Sequence, residues 1–361
     1  GIADMDFAVA PPITAALENR LSHPIYSYTL DEERRYNAVI HWQQSRHGFT
    51  PRKEDIFWVP SVMGAIGWLL QALTEPGDGI VIQPPVYNPF PSVIGANGRT
   101  VVENRLLYSE ETGWDVDLEG LEDAFRTTGA KVLLLCSPHN PVGMYFPRER
   151  LRQMVDICRR HGAYLISDET HSDFYFHGNA HTTIFQACPE ADECCVLLTS
   201  TSKSFNLAGI NQAYAIIRSD KLRAALGRMA GQNGNPHNIL AFEAMIAAYT
   251  KCGDWMDQLC TYLGESADQA CKFINGEIPG WSIREPDATF FLWPRSERPI
   301  GEIMPWLLDE ALVDGVAARL LALPGTRYYT GHCTGLASYA RLKEKMGQRV
   351  AYLHAGETLE L

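Results

Sequence analysis

Between residues 56 and 220 short apolar runs alternate with amphipathic stretches, and this alternation limits the possible folds more than any other feature of the chain. IFWVP (56–60), GDGIVIQPPVY (77–87), RTVVENRL (99–106), VLLLC (132–136), AYLIS (163–167), VLLTSTSK (196–203) and QAYAIIRS (212–219) each read as a strand. Runs that are apolar at nearly every position are expected where helices cover both faces of a sheet. Between them, LEGLEDAFRTTG (118–129) and RERLRQMVDICRRHG (148–162) carry the apolar spacing of helices and end on glycine. Alternating strands and helices imply an α/β fold: a mostly parallel sheet with right-handed crossovers, flanked by helices. Residues 221–275 read as largely helical, interrupted at GQNGNP (231–236). Beyond them the pattern changes. WSIREPDATFFLWPR (281–295) suggests strands of a second sheet and EIMPWLLDEALVDG (302–315) a helix over it, a smaller α+β C-terminal domain.

A formal net charge of −12, with no basic run, argues against nucleic acid or an anionic membrane as partner. Any anionic ligand must be held by local donors. Nine scattered cysteines without C-x-x-C spacing fit a reduced, cytoplasmic protein better than a disulfide framework. No apolar run is long enough to span a bilayer and no secretory signal is read. The abrupt opening GIADMDF points to residues upstream.

Polar motifs cluster where strands end, the edge at which α/β sheets bind ligands. In VLLTSTSKSFN (196–206), Lys203 is surrounded by the hydroxyls of Ser200, Thr201, Ser202 and Ser204. Such a turn offers donors to a phosphate while the amine stands ready to form a Schiff base. SPHNPVG (137–143) sets Asn140 between prolines, and SDETH (167–171) sets Asp168 at a strand end with His171 beyond it. Tyr87 follows a strand in QPPVYNPF and could form a flat wall. Ser61 opens a helix after a strand, so the free N–H groups of Ser61, Val62 and Met63 make an anion site. Each residue singly also fits a bland role: a turn asparagine, loop carboxylates at Asp168 and Glu169, a packing tyrosine, a solvated lysine. His177 and His181 flank a polar loop and read as solvated. No metal site is expected, because Asp168, Glu169, His171 and Asp173 continue a strand whose side chains alternate in direction. The G-x-S-x-G elbow, the P-loop and G-x-G-x-x-G are all missing.

In order the motifs run Tyr87, Asn140, Asp168, Lys203, and this order resembles the fold-type I pyridoxal 5′-phosphate (PLP) enzymes, the aspartate aminotransferase superfamily. The resemblance extends to about residue 325. ADMDF, VPSV, SPHNPVG, SDETH and TSTSKSFN are similar to its cystathionine β-lyase-like branch. It implies an N-terminal arm (1–31) joining the small domain, a large PLP-binding domain (32–252) and a small domain (253–361). It further implies that Lys203 holds PLP as a Schiff base and acts as general base, and that Asp168 pairs with the pyridine nitrogen. Asn140, with His171, would serve the ring oxygen; Tyr87 would stack on the ring; Ser61, Val62, Met63, Ser200 and Ser202 would hold the phosphate. Where many relatives carry an arginine eight residues after the lysine, this chain has Asn211. Tyr28 resembles a tyrosine lent by the other subunit of a homodimer. Arg341, in SYARLKEK after Pro324-Gly325, is the expected anchor of the substrate carboxylate, with Asn140; a second register would put Tyr352 there instead. The implied activity is C–S β-elimination from a cysteine S-conjugate; an aminotransferase, or a binding protein on the same fold, are the alternatives. Trp293 and DATFFLW (287–293) fit either an apolar pocket wall or the core of the small domain.

Overall fold

The computed structural model describes residues 4–27, 33–234, 238–297, 317, 328–330 and 342–352. The chain divides into two compact units, one of Asp6–Phe273 with Ile283–Trp293, the other of Gly1–Met5, Ile274–Ser282 and Pro294–Leu361.

The larger unit opens with α1 (Pro11–Leu21) and α2 (Glu33–His47). Then β1 (Ile56–Val59), α3 (Val62–Leu73), β2 (Gly79–Ile82), α4 (Pro89–Ala96) and β3 (Thr100–Glu103) follow. A small hairpin, β4 (Leu107–Ser109) with β5 (Gly113–Asp115), precedes α5 (Leu118–Thr128) and β6 (Val132–Cys136). After α6 (Arg148–Arg160) come β7 (Tyr164–Asp168), α7 (Ile184–Ala187), β8 (Cys195–Thr199) and β9 (Ala213–Ile216). The helices α8 (Asp220–Asn233), α9 (Ile239–Lys251) and α10 (Gly253–Glu277) complete it, α10 running on past Phe273.

One seven-stranded sheet, in the order β1-β9-β8-β7-β6-β2-β3, forms its centre. All its pairings are parallel except those of β9, which is antiparallel to both neighbours. A crossover helix follows β2, β6 and β7, whereas β8 reaches β9 through residues 200–212 without one. A connection without a crossover returns the chain beside its own strand in the opposite sense.

Local chemistry sets the helix ends. The Ser61 hydroxyl accepts from the Gly64 N–H at 3.0 Å, and Asp117 caps α5 through Gly120 N–H at 2.8 Å. Gly129, at φ 65°, ends α5 in the left-handed conformation that glycine adopts without penalty. Helix α3 buries Ala65, Ile66, Leu69 and Leu70 against Ile80, Leu134, Ile166, Val196 and Ala215 of the sheet. On the other side, α6 buries Leu151, Met154, Val155 and Cys158, one 3.6-period stripe. Each such aliphatic side chain contributes about 1.5–3 kcal/mol. With both faces covered, β6 and β8 are buried throughout, as their composition requires.

In the smaller unit β10 (Trp281–Ser282) pairs antiparallel with β11 (Arg295–Ser296), and β12 (Tyr328–Thr330) runs parallel to β13 (Val350–Tyr352). The sheet expected over 281–295 therefore shrinks to its two ends. Residues 283–293 belong to the larger unit instead, because their backbone finds its partners there. Asp287 and Ala288 N–H donate to the Gly143 carbonyl at 2.9 and 3.0 Å, and Thr289 N–H donates to Phe174 at 3.1 Å. The helix expected over 302–315 lies outside the described residues.

Candidate active site

Four neighbouring parallel strands each deliver one of the singled-out residues to the same sheet edge. In the sheet order β8-β7-β6-β2, Lys203 follows β8, Asp168 ends β7, Asn140 follows β6 and Tyr87 follows β2. The first turn of α3 opens after β1 on that edge. Its Val62 and Met63 N–H groups have no intrahelical acceptor, while the Ser61 oxygen already caps Gly64. Dipole and free donors together make this turn an anion cradle.

Asp168 is buried, and both its hydrogen bonds fall on Oδ1: the Thr170 N–H at 3.1 Å and the Thr170 hydroxyl at 2.6 Å. Among the described residues no donor meets Oδ2. Burial pushes its carboxyl up to about 6 against the pull of the two Thr170 bonds. The carboxylate therefore gains from any cation or N–H donor placed on its open oxygen. Tyr87 is half-buried and its hydroxyl is raised by burial and by the Asp168 charge, so ring and carboxylate share one space.

His171 is buried beside them, its Nε2 3.5 Å from Asn140 Nδ2 and its Nδ1 without a partner among the described residues. Burial, then the Lys203 ammonium, lowers its imidazole to about 3, so it stands neutral. Phe290 and Phe291 wall it at 5.3 and 5.5 Å between ring centroids. DATFF thus lines the site from within the larger unit, while Trp293 beyond it is 41% exposed.

The Asn140 turn is held by the same segment. His139 N–H donates to Met144 O at 2.8 Å and Gly143 N–H to His139 O at 2.9 Å. Gly143 has φ 70°, and a Cβ there would come within 2.6 Å of Pro286 Cβ and 2.9 Å of Ala288 O. Replacing Gly143 by alanine is expected to destabilise the protein by about 3 kcal/mol, summing left-handed strain and overpacking. A denaturant titration would show it, and a loss under 1 kcal/mol would mean that the turn yields.

At the lysine turn, Ser202 N–H donates to Ser200 Oγ at 3.3 Å, leaving the buried Ser200 hydroxyl hydrogen to give. Ser204 faces away from this group and donates to Asp173 Oδ2. Asn211 is exposed. The expectation of a solvated His181 is overturned: Glu169 Oε2 lies 2.5 Å from its Nε2 and the Tyr175 hydroxyl 2.9 Å from its Nδ1, in a buried pair. The reason is the chain's turn after β7, which folds residues 169–184 back under the strand end (Ile184 N–H to Glu169 Oε1, 3.0 Å). His177, in contrast, is 39% exposed, 3.6 Å from Asp268. Tyr28 and Arg341 lie outside the described residues; Tyr352 ends β13. Of the two roles open to DATFFLW, Phe290 and Phe291 take that of an apolar wall; Thr170 is the site residue that the sequence did not single out. Only the position of Thr170, two after a strand-end carboxylate, could have signalled its role.

A family profile described as aminotransferase class I and II matches residues 19–323. The chain belongs to this family. Cystathionine beta-lyase PatB of Bacillus subtilis (strain 168) is 38% identical over 294 residues, 81% of this chain and 76% of that protein. Protein MalY of Escherichia coli (strain K12) is 34% identical over 330 residues, 91% of this chain and 83% of that one. A PLP-bound putative aminotransferase from Clostridium difficile 630 superposes with a TM-score of 0.78 at 32% identity, covering 81% of this chain and 76% of its own. As a member of the aminotransferase class I and II family, the chain has residues that fit PLP. The open Oδ2 of buried Asp168, the partnerless Nδ1 of His171 and the free N–H groups at α3 are acceptors and donors of the kinds a phosphorylated pyridine requires.

Proposed function

We propose that the protein is a PLP-dependent C–S β-lyase that releases thiol, pyruvate and ammonia from a cysteine S-conjugate. The observation that carries this is the convergence of Lys203, Asp168, Asn140 and Tyr87 from four adjacent strands onto one edge. When bound, PLP supplies an aldehyde for amine capture and a pyridinium ring that accepts the electron pair left at Cα.

The chain's own residues do the rest. Lys203 Nζ would be the amine that holds the cofactor's aldehyde and, when free, would take the Cα proton. Asp168 Oδ2 would hold a proton on the ring nitrogen. The Asn140 amide, kept in place by the proline-bounded turn and by neutral His171, would donate to the ring oxygen. Tyr87 provides the ring wall. Val62 and Met63 N–H and the Ser200 and Ser202 hydroxyls receive the phosphate, with no arginine at position 211. Arg341 is the proposed guanidinium for the substrate carboxylate. A large PLP-binding domain at 32–252 with a small domain at 253–361, a homodimer lending Tyr28 across its interface, and a reduced, cytoplasmic setting belong to the same reading. Every described cysteine is free, and no described helix is long and apolar enough to cross a membrane, which supports that setting.

Family membership keeps aminotransfer as the second reading, since it uses the same proton abstraction. Incubation of the PLP-loaded protein with L-cystathionine separates the two. The lyase reading expects stoichiometric pyruvate and free thiol without a keto acid. Amine exchange that requires a keto acid, with no thiol released, would reverse it.

A further inference from the structure

Beneath the lysine turn lies a buried carboxylate that the reaction above leaves unused. The Asp173 side chain is 4% exposed. Its Oδ1 accepts from Trp42 Nε1 at 3.0 Å and lies 3.1 Å from His47 Nε2. Its Oδ2 accepts from the hydroxyl of Ser204, a wholly buried residue next in sequence to Lys203. Cys260 Sγ, from α10, donates to its main-chain oxygen at 3.3 Å, and the Arg46 guanidinium adds a full positive charge nearby.

A second pair backs the first. Glu169 binds His181, and its Oε1 accepts from the Ser167 hydroxyl at 2.9 Å. The main-chain oxygen of Glu169 accepts from Thr199 Oγ1, the last residue of β8, at 3.1 Å. The His47 and His181 rings meet edge to face at 5.4 Å. Two carboxylate–imidazole pairs therefore stand back to back between α2 and the ends of β7 and β8, the strands that deliver Asp168 and Lys203.

Burying a carboxylate costs several kcal/mol even when it is paired, and a well-packed apolar group in its place is often no less stable. Stability alone is thus a poor reason for Asp173 to sit here. Its partners hold it ionised: burial raises its carboxyl, but His47, Ser204 and Arg46 outweigh that and leave it below the usual range. The neighbouring His47 is lowered by burial and stays neutral, so the pair keeps one negative charge.

We propose that Asp173 is a positioning residue for Lys203: through Ser204 it holds the lysine turn against α2, fixing the span between the amine and the Asp168 carboxylate. The inference rests on the function proposed above and names a part of the site that reading does not contain. Asp173 moves no proton; it acts by geometry and by its fixed charge.

The test uses PLP-loaded Asp173→Asn and Ser204→Ala. The first removes the charge, and the second removes only the link. Misplacement of a reacting group by an ångström can lower a rate about 10²-fold. We expect kcat to fall roughly 10²-fold in Asp173→Asn and about ten-fold in Ser204→Ala, with KM within about two-fold in both. The pH midpoint of the near-visible Schiff-base band should move down in Asp173→Asn, because a nearby negative charge favours the protonated form, and stay nearly fixed in Ser204→Ala. Should Asp173→Asn fail to fold, the kcat of Ser204→Ala decides. Wild-type kcat and band midpoint in both variants, even with lowered melting temperatures, would leave Asp173 a structural residue and overturn the proposal. A wild-type protein that forms no near-visible band with PLP instead removes the proposed function itself.

Discussion

Replacing Lys203 by alanine is expected to lower turnover of a cysteine S-conjugate by about 10⁴-fold or more, the combined worth of a covalent amine and a positioned general base. The lysine sits in a turn stapled at several points. Phe205 N–H donates to Thr201 O at 3.1 Å, Leu207 N–H to Ser202 O at 3.0 Å, and Ser204 is fastened to Asp173. Truncating the side chain leaves those bonds intact, so the variant should fold and melt within a few degrees of wild type. The near-visible band should vanish, and added methylamine should restore a small part of the rate. Retention of more than a hundredth of wild-type turnover would show that another group removes the proton, and Lys203 would lose its role.

Asp168→Asn is expected to show opposite effects on stability and turnover. The folded state raises this carboxyl from 3.8 to about 6, so the cofactor-free protein binds its proton more tightly than the unfolded chain. The associated stability is full below pH 3.8 and is lost as pH rises through about 6. Above that, the buried charge is a liability on the order of 3 kcal/mol, at 1.36 kcal/mol per pH unit. An amide carries no such charge. The cofactor-free variant should therefore melt higher than wild type at pH 8 and at nearly the same temperature at pH 4. Turnover should fall on the order of 10³-fold, because a neutral amide cannot hold the proton on the ring nitrogen. Cofactor affinity of the wild type should also weaken as pH drops through about 6, more steeply than in the variant. A variant that melts lower at pH 8 would mean that the carboxylate is already paired before the cofactor arrives.

The chain's own pattern announced the sheet, because strands covered on both faces must be apolar throughout, as at Val132–Cys136 and Cys195–Thr199. It also announced Lys203, Asp168, Asn140 and Tyr87, since each sits directly after an apolar run, and strand ends are where an α/β sheet exposes polar side chains. What it could not announce were the partners brought by distant segments. Phe290 and Phe291 read either as a pocket wall or as part of the small domain's core; they wall His171 because Asp287 and Ala288 find a backbone acceptor at Gly143. His181 read as a solvated loop histidine, yet Glu169, twelve residues before it, buries it in a pair. Trp42 and His47 meet Asp173 from far off in sequence.

Periodicity and turn chemistry are local, so residues alone determined which side chains stand at the strand ends. Burial and pairing depend on contacts across more than a hundred positions, as between Trp42 and Asp173. Only the tertiary structure therefore decided which carboxylates are charged, which histidines are neutral and what grips the turn beside the lysine.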